Sequence, residues 1–373
     1  MVPTMGVRAL TGARDRLLRA DERRVSSTEA CQEIVLALHE VAVFDCCAVM
    51  TTDPATMLPS TGVVDGFPSS ACPPFRENDL ADPDFNKFSD LVRRTDPVST
   101  LHESVDGELH RSPRYTKLYA ATGAMDELRV VFTAGSACLA VGALLRPAGL
   151  DPFTDEEIAD VRQLVPVATR LLRQAQGRGH DDLRPAGPAV IILDGEAKVL
   201  SMTEGADALL DDLRLQVDGS LPGTLQAAAT KARWSRQRQS LTTRLRGHSG
   251  RWLRAHISPM AGEVGTVAVT LEAARSDDLA VLLLDSYGLT ERETEIVLRL
   301  CRGLATKEIA SELLISVHTV RDHIKSIFDK AGVTSRGELV AELFTSHVLG
   351  GFHEAVQHVG AVDGSTAGAR ASS

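Results

Sequence analysis

The sequence predicts a multidomain chain, two α+β units followed by an all-α unit of four helices. Three observations carry this. The 373 residues are enough for two or three domains. Strand-like apolar runs alternate with helix-period stripes between residues 26 and 273, with a Gly/Pro/charge-rich break at 176–188. Beyond a second break at 274–285 the strands vanish, and capped helical stripes succeed one another over 286–346.

Composition narrows the function classes. Hydrophobic residues make up 43% and charged residues 24%, as in globular proteins, so collagen-like, coiled-coil and wholly disordered chains are excluded. No apolar run approaches the roughly 18–20 residues of a membrane span. The arginine-rich N-terminus lacks the apolar stretch of a signal peptide, so a cytoplasmic protein without membrane contact is expected. The formal charge of −10 gives no whole-chain case for nucleic-acid binding, and any basic surface is local. None of the six cysteines sits in a C-x-x-C pair, and they read as small apolar residues rather than a zinc or redox site.

Residues 1–25 lack a sustained apolar stripe and are expected to form a loose lead-in. Cys31, Ile34, Val35 and Leu38 then recur with helical spacing. Val43–Thr52 reads as a strand, Asp53-Pro54 as a turn, and the Pro/Gly/Ser-rich stretch to Asp82 as a loop. Residues 84–94 suggest a helix with Phe85, Phe88, Leu91 and Val92 inward. Leu128–Thr133 and Cys138–Leu145 suggest a hairpin around Ala134-Gly135-Ser136. Thr154-x-x-Glu157 is a capping box opening a long helix, kinked at Pro166. In the second unit, 189–273, Val190–Asp194 and Lys198–Met202 form a hairpin. Helices follow over Glu204–Leu213 and Leu225–Gln237, then strands over Leu241–Leu245, Arg251–Ser258 and Gly265–Leu271. The tail, 347–373, is expected to be disordered.

Residues 288–344 hold the chemistry. Thr290 and Glu293 form a capping box, Ile296, Val297, Leu300, Cys301 and Leu304 make an inner stripe, and Gly303 ends the first helix. A short helix, Lys307–Leu314, leads through a tight turn to a third, Val317–Lys330, capped by Ser316 and stopped by Gly332. A fourth helix spans Arg336–Phe344. Two helices joined by a brief turn, the second longer and well capped, make a helix-turn-helix. On the third helix Val320, Ile324, Ile327 and Phe328 share one face, and His318, Asp322, Lys325 and Asp329 lie opposite, flanked by Thr319, Arg321 and Ser326. Between Ser316 and Arg336 four cations meet two anions, a local balance of +2. A helix entering the major groove needs such a surface.

The run Leu304-x-x-Lys307-Glu308-Ile309-Ala310-x-x-Leu313-x-Ile315-Ser316-x-x-Thr319-Val320-Arg321-x-His323, extended by Ile327-x-x-Lys330-x-Gly332-Val333-x-Ser335-Arg336, closely resembles the LuxR-type helix-turn-helix of bacterial transcription regulators. The resemblance implies sequence-specific binding of double-stranded DNA, usually as a homodimer, hence a pseudo-palindromic operator, with RNA polymerase as a further partner. It implies base-facing roles for Arg321, Asp322 and Lys325, which His318 joins by its place on the same face, and phosphate-facing roles for Thr306, Lys307, Thr319, Lys330 and Arg336, which Ser326 joins from the flank. The apolar Leu339, Val340, Leu343 and Phe344 on the fourth helix would join two copies. Two departures stand out. Ala305 replaces the usual cap, leaving Thr306 or water to cap the second helix, and Asp322 is an acid able to accept from cytosine N4 but repelling phosphate.

The unit over 26–175, through Phe44-Asp45 and Asp53-Pro54-Ala55-Thr56-x-Leu58-Pro59, resembles a GAF-type sensory domain. The order strand–strand–helices–three strands over 189–273 resembles a PAS-type domain. The resemblance implies a regulator whose sensory domains control its DNA reader. The alternative is a ligand-binding sensor or vestigial enzyme using the helix-turn-helix as an interaction scaffold. No P-loop, G-x-G-x-x-G or G-x-S-x-G is present, so an enzyme is not expected. No cofactor or metal site is evident, and the sequence leaves the small-molecule effector open. Asp194-Gly195 reads as a turn rather than a phospho-acceptor. His353-Glu354 and His358 are one residue too far apart for a zinc helix.

Overall fold

The computed structural model describes residues 5–68, 71–176, 187–213, 221–234, 239–261, 265–274, 282, 284 and 286–345. The first unit begins with α1 (Met5–Arg23) and α2 (Ser27–Val41), then β1 (Cys46–Thr52), β2 (Pro59–Asp65) and α3 (Cys72–Leu80). The one-turn helices α4 (Phe88–Leu91) and α5 (Leu101–Ser104) flank β3 (Val98–Thr100). The hairpin β4 (Asp126–Ala134) and β5 (Ala137–Arg146) precedes the long α6 (Asp155–Gln176). The sheet is antiparallel with order β2-β1-β5-β4-β3. One face buries Val49, Leu128, Val130 and Leu139 against Leu17, Ile34 and Leu38 of α1 and α2 and Val161 and Leu172 of α6. Each such side chain contributes about 1.5–3 kcal/mol.

The N-terminal residues, expected as a loose lead-in, form the 19-residue α1. Its buried stripe is Ala13, Leu17 and Ala20, mostly alanine and therefore faint in the sequence. Its arginines pair across to α2, Arg16 with Glu33 and Glu40, and Arg23 with Glu33. The expected loop before Asp82 contains β2 and α3. Pro59 hid the first, which is an edge strand where proline is tolerated. Pro73 and Pro74 hid the second by sitting in the first turn, where their missing N–H is not needed. The helix expected over 84–94 shrinks to the single turn of α4, because Asn86 has a left-handed φ of 53°. The capping box of α6 is present, with the Glu157 carboxylate accepting from Thr154 N–H at 2.9 Å, and α6 runs continuously through Pro166.

The second unit contains β6 (Ala189–Leu193), β7 (Val199–Met202), α7 (Ala206–Leu213), α8 (Gly223–Trp234), β8 (Leu241–Arg246), β9 (Trp252–Pro259) and β10 (Val267–Ala273). The strand order, β7-β6-β10-β9-β8, repeats that of the first unit. Asp194 makes the expected turn, its Oδ1 accepting from the backbones of Glu196 and Lys198 at 2.8 and 2.9 Å. The two units are joined at depth. The β1–β2 turn of the first enters the second, burying Leu58 in its core. There the Asp53 carboxylate accepts from Arg244 Nη2 at 2.9 Å, Arg244 N–H at 2.7 Å and Thr243 Oγ1 at 3.2 Å. Arg246 Nη1 donates to Ser27 Oγ at 2.6 Å and to Ala175 O at 2.8 Å.

The last unit is all-α, with α9 (Glu291–Cys301), α10 (Thr306–Glu312), α11 (Val317–Ala331) and α12 (Arg336–Thr345). Leu282 and Leu284, within the stretch expected as a linker, are buried and helical, and Leu284 joins the core of this unit. The greater part of the 176–188 linker and the whole 347–373 tail, with His353, Glu354 and His358, lie outside the described residues.

Candidate nucleic-acid interface

The reading face is built from the core outward. Ile296, Val297 and Leu300 of α9, Ile309 and Ala310 of α10, and Val320 and Ile327 of α11 form one buried cluster, with Ile324 and Phe328 packed at its edge. That cluster fixes which way α11 turns. Its start is set by Ser316 Oγ, which accepts from Thr319 N–H at 3.0 Å, and its end by Gly332 at φ 70°. The turn from α10 to α11 passes through Leu314, 92% exposed and at φ 55°. Arg292 Nη2 donates to Leu313 O at 2.7 Å and ties this turn to α9.

With the core face inward, His318, Thr319, Arg321, Asp322 and Lys325 stand exposed on the opposite side. His318 Nδ1 lies 2.8 Å from Asp322 Oδ2, one helical turn away, so the acid on this face has a local partner. Thr306 is half-buried and Lys307 exposed. No side chain caps the second helix at Ala305, and the Glu308 carboxylate reaches back to accept from Ala305 N–H at 2.6 Å. This is the half of a capping box that needs no cap side chain.

Three residues expected at phosphates are engaged inside the unit. Ser326 Oγ donates to Glu293 Oε1 at 2.7 Å, and Lys330 Nζ donates to Glu293 Oε2 at 2.6 Å. Arg336 Nη1 and Nη2 donate to Leu304 O at 3.0 Å and Leu300 O at 2.6 Å, closing the C-terminal end of α9. Glu293 is thus a hub, whereas sequence reasoning saw only a capping residue. Burial pushes its carboxyl up, but bonds from Lys330, from the Thr290 backbone and from Ser326 prevail and hold it down at about 2. On α12, Leu339 is 1% exposed within its own core and so is not free to face a second copy, and Leu343 is half-buried at the edge of that core. Val340 is half-buried, and the side chain of Phe344 lies outside the described residues.

The back of this unit rests on the first unit. Arg173 of α6 donates to Lys330 O at 2.9 Å and lies 5.5 Å from the centre of the Tyr287 ring. Gly288, just before α9, abuts Gly135 in the β4–β5 turn. None of these residues was singled out from the sequence for this contact. Among the described residues no cluster of His, Cys, Asp or Glu fits a metal ion, and no helix is long and apolar enough to cross a membrane. Burial pushes the Cys31 thiol up to about 12 and Cys47 up to about 11, away from nucleophilic or ligand chemistry.

Comparison with known proteins bears on this unit. The family described as bacterial regulatory proteins, luxR family, matches residues 287–343. The spore germination protein GerE of Bacillus subtilis is 51% identical over 55 residues, 15% of this chain and 74% of GerE. The transcriptional regulatory protein UhpA of Salmonella typhimurium is 37% identical over 78 residues, 21% of this chain and 35% of UhpA. The chain therefore spans about a third of UhpA. A solved structure of Escherichia coli SdiA aligns over 90% of this chain and 97% of its own at 11% identity, with a TM-score of 0.29, too low to bear on how the units are arranged. The matched residues are those that form the capped α10–α11 pair and its supporting helices, and the chain belongs to the LuxR family of bacterial regulatory proteins, with a DNA-binding helix-turn-helix at its C-terminal end.

Proposed function

We propose that the protein is a sequence-specific transcription regulator in which a GAF-like unit over 26–175 and a PAS-like unit over 189–273 sense a signal and control the DNA reader over 286–346. The observation that carries this is the exposed polar face of α11, His318, Arg321, Asp322 and Lys325, on a helix whose other face is locked into the core. In this reading Arg321 and Lys325 reach base edges, and Asp322, shared with His318, accepts from a cytosine N4. Thr306, Lys307 and Thr319 meet phosphates, and Ser326, Lys330 and Arg336 do so only by exchanging their internal partners. Two strands, then helices, then three strands in the second unit favour the PAS-like reading. The docking of Arg173 on Lys330 O and of Gly135 on Gly288 favours control of the reader by the first unit.

The same reading takes the protein to be a cytoplasmic homodimer on a pseudo-palindromic operator, with Val340 and Phe344 of α12 at the contact and RNA polymerase as a further partner. Retention of the full chain on genomic DNA, measured against salt, is the test. A regulator gives affinity falling linearly with salt on a logarithmic scale and a footprint at discrete sites. An interaction scaffold gives neither.

A further inference from the structure

A cavity of about 1020 Å³ lies between the two α+β units. That is the size of a small-molecule site. Its floor is the sheet face of the first unit that α1, α2 and α6 leave uncovered, with Met50 and Val141 from the strands and Phe75 and Phe88 from α3 and α4. Its far wall is α8 of the second unit and the segment leading into it, with Thr224, Gln226 and Lys231. The lining is apolar at the floor and cationic where the units meet. Arg76, Lys87, Arg93 and Lys231 line it together with Asp79, whose carboxylate is already bonded to the buried Arg129 at 2.7 Å.

Two polar atoms of this lining are buried without a hydrogen-bond partner among the described residues, Arg76 Nε and Thr224 Oγ1. Thr224 is 1% exposed. One comes from each unit. A buried donor left unmade is costly, and such groups mark an absent ligand or water. Their surroundings are already oriented, since Arg76 Nη2 donates to Gln226 Oε1, whose Nε2 is fixed by Leu221 O at 2.7 Å. Lys231 Nζ donates to Thr56 O across the same seam. Burial lowers the pKa of both Arg76 and Lys231, the expected state of cations with too little counter-charge.

We infer that this cavity binds an amphiphilic organic anion, its carboxylate or phosphate head held by Arg76 Nε and Thr224 Oγ1 and its apolar body lying on Met50, Phe75, Phe88 and Val141. The ligand bridges the two units, since Arg76 belongs to the first and Thr224 to the second. The inference deepens the sensory reading and rests on it.

Calorimetric titration of the full chain without DNA tests it, using decanoate below its micelle concentration, decyl phosphate and 2-naphthoate, with decanol as the neutral control. At least one anion is expected to bind about tenfold or more tighter than decanol, a charge-assisted preference. Arg76→Gln is expected to abolish that preference, and Thr224→Val, which keeps the side-chain shape should the first variant fail to fold, to weaken it several-fold. Binding of decanol as tight as the anions, no binding of any anion, or anion binding untouched by Thr224→Val overturns the site. Retention on DNA is read separately on the same protein. An anion that binds but leaves retention unchanged overturns the sensory reading and leaves the site standing.

Discussion

Gly135 and Gly288 meet backbone to backbone. A Cβ on Gly288 would lie 2.3 Å from Ala134 O, and one on Gly135 would lie 2.6 Å from Gly288 O. Both have left-handed φ, 58° and 63°. The β4–β5 turn and the entry to α9 are therefore fitted to each other as bare main chain, and a methyl group on either is excluded. Gly288→Ala is expected to undock the DNA reader while costing that reader itself only about 1–2 kcal/mol for its left-handed residue. Small-angle scattering should show a larger radius of gyration and limited proteolysis a new cut between the units. An unchanged radius and cleavage pattern would refute the interlock.

The exposed face of α11 makes a separable prediction. Arg321→Ala and Lys325→Ala should each weaken operator binding by about 1–3 kcal/mol. If one of them contacts phosphate, its loss also lowers the salt slope by about one. Fluorescence anisotropy on operator DNA over a salt series measures both quantities. Full affinity in both variants, with unfolding unchanged, would remove α11 from the groove.

Glu293 links pH to the stability of the reader. Its folded pKa, about 2, lies below the ordinary value of 4.5. Its contribution is therefore complete above about pH 5 and is lost as pH falls toward 2. Circular dichroism melts should show the helical unit losing stability across that window. Glu293→Gln should lower stability at pH 7, by about 1–3 kcal/mol, and flatten the acid limb. An acid limb as steep in the variant as in the parent would assign the titration elsewhere.

Asp53 and Arg244 should behave as a buried pair broken from one side. Asp53→Ala removes the carboxylate that the Arg244 guanidinium and the Thr243 hydroxyl share in the seam between units. The expected loss is about 3–5 kcal/mol, read from denaturant unfolding. Asp53→Asn, which keeps an acceptor, should cost less. An Asp53→Asn variant as stable as the parent would mean that charge plays no part in the joint, and equal losses from the two would mean that the retained acceptor contributes nothing.

The α9–α12 unit was legible because its information is local. Ser316, Gly332 and the Thr290–Glu293 box mark ends, and Val320, Ile324 and Ile327 mark a face. Elements whose signal is weak by composition were lost, such as the alanine stripe of α1 and the proline-bearing β2 and α3. The internal partners of the residues expected at phosphates were illegible for another reason. Helical spacing puts Ser326 and Lys330 near the polar side, but their head groups turn to Glu293, 33 and 37 positions away in the chain. Nothing local in sequence announces a buried carboxylate at that distance. The seam between the α+β units, with Asp53 on Arg244 and Arg76 on Gln226, is likewise a product of tertiary approach alone.

Arg173 grips α11 at Lys330, in its last turn, whereas His318 and Arg321 occupy its first. The hold is thus on the heel of the reading helix, and its toe is left clear. If Arg321 meets a base, as proposed, a signal arriving through α6 would leave that contact alone, since the position of Arg321 is set within the reader. It can change where the reader sits relative to a second copy. Half-sites repeat about every 34–36 Å of duplex, so a displacement of a few ångströms at the heel puts two readers in or out of phase with the helical repeat. On the proposed reading, control through α6 would act on the spacing of paired sites, with the letters of each half-site untouched.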